Sequence, residues 1–167
     1  MKSKNQRLSE VLFLVYLIVL IWLIVFKTEF SLAHINDMRN INLDPYAAPA
    51  RVNGQIVYEE IYFNILAFLP FGLYLGLLFK KWNIFQHTLI LLLVSTSFEV
   101  IQYVFSIGAT DITDVLNNVM GGIIGLLIYH SMKWILKDSH RTQKIINIIA
   151  AVMTTLVIII LFLIKLM

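Results

Sequence analysis

The sequence predicts an all-α fold, a polytopic membrane bundle of about five transmembrane helices with its N-terminus inside. Three observations carry this. Of 167 residues, 59% are hydrophobic and 14% charged, against roughly 45–50% and about 25% in soluble domains. The mean hydropathy is +0.82. The apolar residues also gather into five runs, each close to the about 20 residues a bilayer-crossing helix needs. A soluble enzyme, a disordered regulator or a nucleic-acid module of this size has no means of hiding so much apolar surface. The net charge of +3 comes without a basic patch interleaved with aromatics, so no nucleic-acid partner is expected. The chain has no cysteine, which removes disulfides, thiolate metal sites and cysteine nucleophiles.

The runs follow one another in a single domain, 1–167. The first, 8–26, has a basic start in Lys2, Lys4 and Arg7. With Ser31-Leu32-Ala33 beyond it, this stretch also resembles a cleavable signal, but the apolar run is long for one. An extracytoplasmic loop over 27–60 comes next and carries Pro45, Pro49 and Gly54, which mark it as a loop rather than a continuing helix. The second span, 61–79, is joined to the third, 84–106, by Lys80-Lys81-Trp82-Asn83. A tight turn through Gly108 leads to the fourth, 112–136. A basic connection precedes the fifth, 145–164.

Basic residues orient the bundle. With the N-terminus inside, the inner segments hold Lys2, Lys4, Arg7, Lys80, Lys81, Lys133, Lys137, Arg141 and Lys144. The outer segments hold only Lys27, Arg39, Arg51 and Lys165. Trp82 and Trp134 at the inner ends, and Tyr58, Tyr62 and Tyr103 at the outer ends, fit interfacial aromatic belts.

Ionisable groups within a membrane are costly and usually face a bundle interior or cavity. Glu99 and Gln102 on the third span are three residues apart and share a helix face, joined by Ser95. On the fourth span Asp111, Asp114 and Asn118 fall at i, i+3 and i+7, again on one face. Glu99 and Asn118 each lie about 9–10 Å from the outer end of their spans, at 1.5 Å per residue. Asn64 approaches from the same side on the second span. The polar groups thus collect in the outer half. Asp111 also suits the cap of the fourth helix, and Ser95 and Gln102 also suit interhelical hydrogen bonding. Glu99 is harder to explain structurally, because a buried carboxylate must protonate or find a partner. Arg39 and Arg51 are the nearby cations able to pair with it. Gly72-x-x-x-Gly76 and Gly121-x-x-x-Gly125 on the parallel second and fourth spans match the close-packing pattern of membrane helices. Pro70 is expected to free a backbone carbonyl about one turn earlier. The four histidines are scattered and form no metal-binding pattern. Oxygen ligands such as Asp111, Asp114, Glu99 and Asn118 suit Mg²⁺ or Ca²⁺, but no metal or cofactor is expected.

Four segments resemble the VanZ family. They are Arg39-Asn40-Ile41-Asn42-Leu43-Asp44-Pro45-Tyr46, then Asn64-x-x-x-Phe68-x-Pro70-x-Gly72, then Ser95-x-x-x-Glu99-x-x-Gln102, and finally Asp111-x-x-Asp114-x-x-x-Asn118-x-x-Gly121-x-x-x-Gly125. Each is loose alone; all four in this order are specific. One departure stands out. Many members of the family carry an Arg shortly before the first Asp of the last segment, where this chain has Ile107-Gly108-Ala109-Thr110. Arg39 or Arg51 would have to substitute. The resemblance implies a multi-pass cell-membrane protein of the Gram-positive envelope, associated with reduced susceptibility to lipoglycopeptides such as teicoplanin.

Three functions compete. The first is a binding or modulating protein in which Asn64, Glu99, Gln102, Asp111, Asp114, Asn118 and Arg39 line a pocket for a lipid headgroup or amphiphile. Its partners would be membrane lipids, a lipid-linked wall precursor or the lipoglycopeptide itself. The second is an intramembrane enzyme on a lipid-linked substrate, with Glu99 and Asp114 as acid and base and Arg39 orienting an anionic group. No recognisable nucleophile accompanies that pair. The third is a small transporter, which would need a homo-oligomer built on the Gly72/Gly76 or Gly121/Gly125 faces.

Overall fold

Five helices dominate the computed structural model, which describes residues 4–25, 41–46, 51–52, 55–56, 58–105 and 110–166. They are α1 (Lys4–Val25), α2 (Glu59–Leu78), α3 (Ile84–Phe105), α4 (Ile112–Leu136) and α5 (Ser139–Leu166). Among the described residues, α1 to α4 each carry a stretch long and apolar enough to cross a membrane. The fifth predicted span, 145–164, falls within α5. Four two-residue strands accompany the helices: β1 (Ile41–Asn42), β2 (Arg51–Val52), β3 (Gln55–Ile56) and β4 (Thr110–Asp111). β2 and β3 form a small antiparallel pair, and β1 pairs in parallel with β4. The Ser31–Ala33 signal-like site, Arg39, Pro49, Gly54 and the Gly108 turn lie outside the described residues.

α2 is the axis. Every residue from Pro70 to Leu77 is buried, and α2 touches each of the other four helices. A helix apolar all round belongs in the centre. The others present mixed faces. α1 buries Tyr16, Leu20 and Ile24, spaced by one turn, and leaves Leu14 and Ile18 exposed as a membrane-facing helix does. Phe13 meets both Phe71 and Tyr74 on α2, with ring centroids 5.9 and 5.3 Å away. Pro70 has no N–H to offer the carbonyl of Leu66. The next carbonyl, that of Ala67, accepts the Tyr16 hydroxyl at 2.5 Å. This bond fastens α1 to α2 one turn before Pro70.

The most extensive contact in the bundle is between α2 and α4, and glycine makes it. A Cβ added at Gly72 would overlap the Gly122 carbonyl; at Gly121, the Ile65 carbonyl; at Gly125, the Leu69 carbonyl. Gly76 lies under the Tyr129 ring, and Gly122 under Leu91 of α3. Both predicted glycine pairs are thus filled within one chain. The faces named for a homo-oligomer, Gly72/Gly76 and Gly121/Gly125, pack here on neighbours within the same chain.

α5 begins earlier than the predicted span because Asp138 caps it. One carboxylate oxygen accepts from the backbone N–H groups of His140, at 2.8 Å, and Arg141, at 3.2 Å. The other meets the Arg141 guanidinium at 3.3 Å. The backbone N–H of Arg141, then that of His140, hold the Asp138 carboxyl below its ordinary value of 3.8.

Two predictions follow from these contacts. Gly72→Leu and Gly125→Leu each lower stability by about 2–3 kcal/mol through overpacking, read as a fall in melting temperature in detergent, while Met120→Leu on the exposed side of α4 changes little. Because its folded pKa is depressed, Asp138 stabilises the protein above its unfolded value and loses that contribution as pH falls through the folded one. Melting curves of wild type and Asp138→Ala therefore differ at neutral pH and converge in acid below the ordinary carboxylate range.

Candidate functional site

The polar residues meet where α3 ends and where α2 and α4 begin. Asp111 is the N-cap of α4. Its backbone is extended, at φ −126° and ψ 123°, and its Oδ1 accepts the Thr113 N–H at 2.7 Å. This meets one of the donors a helix start leaves unpaired. The capping reading of Asp111 is therefore observed, but it is half of what the residue does. Its Oδ2 accepts from Asn42 Nδ2 at 3.1 Å, and its own N–H donates to Glu99 Oε2 at 3.0 Å. The Thr110 hydroxyl donates to the Glu99 carbonyl at 3.3 Å. The strand pairing of Ile41 with Thr110 and of Asn42 with Asp111 fixes this register.

Each later turn of α4 engages a different neighbour. Asp114, buried, accepts from Asn64 Nδ2 of α2 at 2.6 Å. Asn118 Nδ2 donates to the Ser95 hydroxyl of α3 at 2.9 Å. The predicted face of Asp111, Asp114 and Asn118 is thus a seam on which β1, α2 and α3 converge. Glu99 and Gln102 share a helix face as predicted, yet serve different elements. Gln102 Nε2 donates to the Ile24 carbonyl of α1 at 2.9 Å. That carbonyl is in the last turn of α1, where helical carbonyls lack intrahelical donors. Gln102 is thus drawn away from the carboxylates to finish a neighbouring helix.

Four side chains join the site that helix spacing did not select. Asn42, Tyr46 and Thr113 anchor the loop, and Asn117 receives it. The Tyr46 hydroxyl donates to Asn117 Oδ1 at 2.9 Å, and its N–H donates to the Thr113 hydroxyl at 3.2 Å. Tyr46 sits at φ 57°, a left-handed conformation that costs a non-glycine residue about 1–2 kcal/mol. The two hydrogen bonds hold it there. Asn42 Oδ1 accepts the Asp44 N–H at 3.1 Å, closing an Asx-turn that starts the bend. Asn117 was detectable in principle, three residues after Asp114; the loop contacts have no periodic signal.

Arg39 lies outside the described residues, and of Arg51 only the backbone, in β2, is described. Among the described residues no three His, Cys, Asp or Glu side chains are grouped to hold a metal ion. The cluster keeps unfilled hydrogen-bonding capacity. Asn64 Oδ1, Asn117 Nδ2, Asn118 Oδ1 and Gln102 Oε1 are buried without a partner, on residues no more than 2% exposed.

The chain carrying this cluster matches a known group. A family model described as VanZ/LLP1 covers residues 13–137. The chain belongs to the VanZ family. Protein VanZ of Enterococcus faecium is 37% identical over 139 residues, which is 82% of this chain and 80% of that protein. No solved structure matches. The VanZ match runs from within α1 to the residue after α4, so it contains every contact of the cluster and leaves out α5. The matched region thus holds the seam along α4 together with the helices that meet it.

A double-mutant cycle checks the seam. Ser95→Ala and Asn118→Val are expected to couple by about 0.6 kcal/mol, the average for interhelical hydrogen bonds in membranes. Asn64→Leu removes one donor from buried Asp114 and costs more, about 1–3 kcal/mol, in the same unfolding assay.

Proposed function

We propose that this VanZ-family chain is a multi-pass protein of the cell membrane whose loop-end polar cluster binds the headgroup of an amphiphile, and that it thereby lowers susceptibility to teicoplanin. The supporting observation is the unfilled capacity of Asn64, Asn117 and Asn118. Buried polar groups in folded proteins are nearly all paired, and in a membrane an unpaired one is costlier still. Three amide atoms left open beside the carboxylates of Asp114 and Asp111 suit a ligand rich in hydroxyl and amide groups. A lipid-linked wall precursor or the lipoglycopeptide itself has that chemistry next to an acyl chain. In the N-inside orientation favoured by the basic residues, the cluster faces the outer leaflet, where both are found. Arg39 would supply the cation for an anionic group on the ligand.

The fixed donors on the carboxylates favour binding over catalysis. Asp111 holds a helix cap, Asp114 an amide, and Glu99 a backbone N–H. An acid/base pair must exchange protons with substrate, and these contacts would have to break first.

The test is teicoplanin susceptibility in a Gram-positive host at matched membrane abundance, with vancomycin as control. Wild type is expected to protect against teicoplanin alone, and Glu99→Gln, Asp114→Asn and Asn118→Val to fall to the level of the empty vector. Full protection by all three variants would make the cluster structural. Turnover of a lipid-linked precursor by purified protein, lost in Glu99→Gln, would replace binding by catalysis.

A further inference from the structure

We propose that the basic end of the bundle carries a second site, a groove between α1 and α5 that takes an anionic glycerophospholipid. A cavity of about 640 Å³ lies there, lined on one side by Asn5 and Leu12 and on the other by His140, Lys144, Asn147 and Ile148. It lies near the start of α1, roughly 28 Å along that helix from the Ile24 end near which Gln102 docks. It is therefore separate from the polar cluster and does not rest on the function assigned to it.

The lining is graded along the groove. α1 and α5 both begin at this end, so their residues descend together. At the mouth the Asn5 amide and the His140 ring meet, 2.7 Å apart. Lys144 follows one turn deeper, exposed, with no ion pair among the described residues. Its helix contains no acid, and Asp138, which caps that helix, is occupied by Arg141 and by two backbone N–H groups. Asn147 comes next. It is 6% exposed, and its Oδ1 has no partner. Below it the walls are Leu12, Ile148 and Ala151, and Leu8 of α1 lies at about the level of Lys144.

Along α5 the order is a cation, an unpaired amide and then an apolar wall, facing the apolar side chains of Leu8 and Leu12 on α1. A phospholipid presents the complementary order of phosphate, glycerol region and acyl chain. The volume lies within the roughly 300–1,000 Å³ typical of small-molecule sites, enough for a headgroup and the first part of one chain, the rest continuing into the bilayer. Lys133, Lys137 and Arg141 surround this end and raise the local concentration of anionic lipid, but only Lys144 lines the groove.

The experiment uses the full chain in detergent and native mass spectrometry. The probes are dioleoylphosphatidylglycerol, dioleoylphosphatidylcholine and inorganic phosphate. One phosphatidylglycerol per chain is expected to be retained in preference to phosphatidylcholine. Lys144→Gln, an exposed position whose change leaves the fold intact, should weaken that retention at least about fivefold, the effect of one basic residue near a lipid surface. Ile148→Trp, which fills the groove, should weaken it similarly. Lys133→Gln should not. Equal retention of the two lipids, or equal loss in Lys133→Gln and Lys144→Gln, would overturn the proposal in favour of diffuse charge attraction. Displacement of the lipid by millimolar inorganic phosphate would overturn it in favour of a soluble phosphate site.

Discussion

The structure depends on the approach of two backbones. Where α2 and α4 cross, the Gly72 position has no room for a methyl group against the Gly122 carbonyl, nor Gly125 against that of Leu69. In a membrane, apolar burial gives helices little reason to prefer each other to lipid, so close van der Waals contact must do the joining. This contact also sets the polar chemistry. Asn64 directly precedes Ile65, against which Gly121 packs, and Asp114 lies about two turns before Gly121 on α4; their 2.6 Å hydrogen bond spans helices whose axes run this close.

Around that axis the remaining polar groups act as ties between elements. A carboxylate in a low-dielectric setting must be neutralised or surrounded by donors. Asp111 collects donors from its own helix and from β1, Asp114 from α2, and Glu99 from the backbone of Asp111. The acids are therefore both a burden on the bundle and the reason its separate pieces hold one register. The same economy appears at Tyr16, whose hydroxyl finds a carbonyl beside Pro70, and at Gln102, which finishes α1.

Most of this architecture was legible in the sequence because its determinants are local. Five apolar runs gave five helices, and 3.6-residue spacing put Asp111, Asp114 and Asn118 on one face. The glycine pairs named the two helices that pack most closely, though not that they pack on each other. What spacing could not supply was partnership. Glu99 and Gln102 share a face, but one turns to α4 and the other to α1, because an unfinished helix end happens to lie nearby. Tyr46 and Asn42 were visible only as parts of a resemblance, since a left-handed tyrosine in a loop has no periodicity to betray it. The early start of α5 was missed because Asp138, an exposed acid among basic residues, extends the helix beyond its apolar run.

The pairing of β1 with β4 has a consequence for the order of assembly. Asn42 and Asp111 are 69 residues apart in the chain, and two whole helices lie between them. During synthesis β1 emerges first and must wait, with its edge unpaired, until α2 and α3 have been made and the start of α4 has followed. Contacts of such sequence separation carry a large loop-closure entropy and slow folding. The loop segment is therefore held to the cluster by residues that only the later helices supply. Tyr46 likewise reaches forward to Thr113 and Asn117 on α4, so both ends of this loop segment are fixed by residues made two helices later.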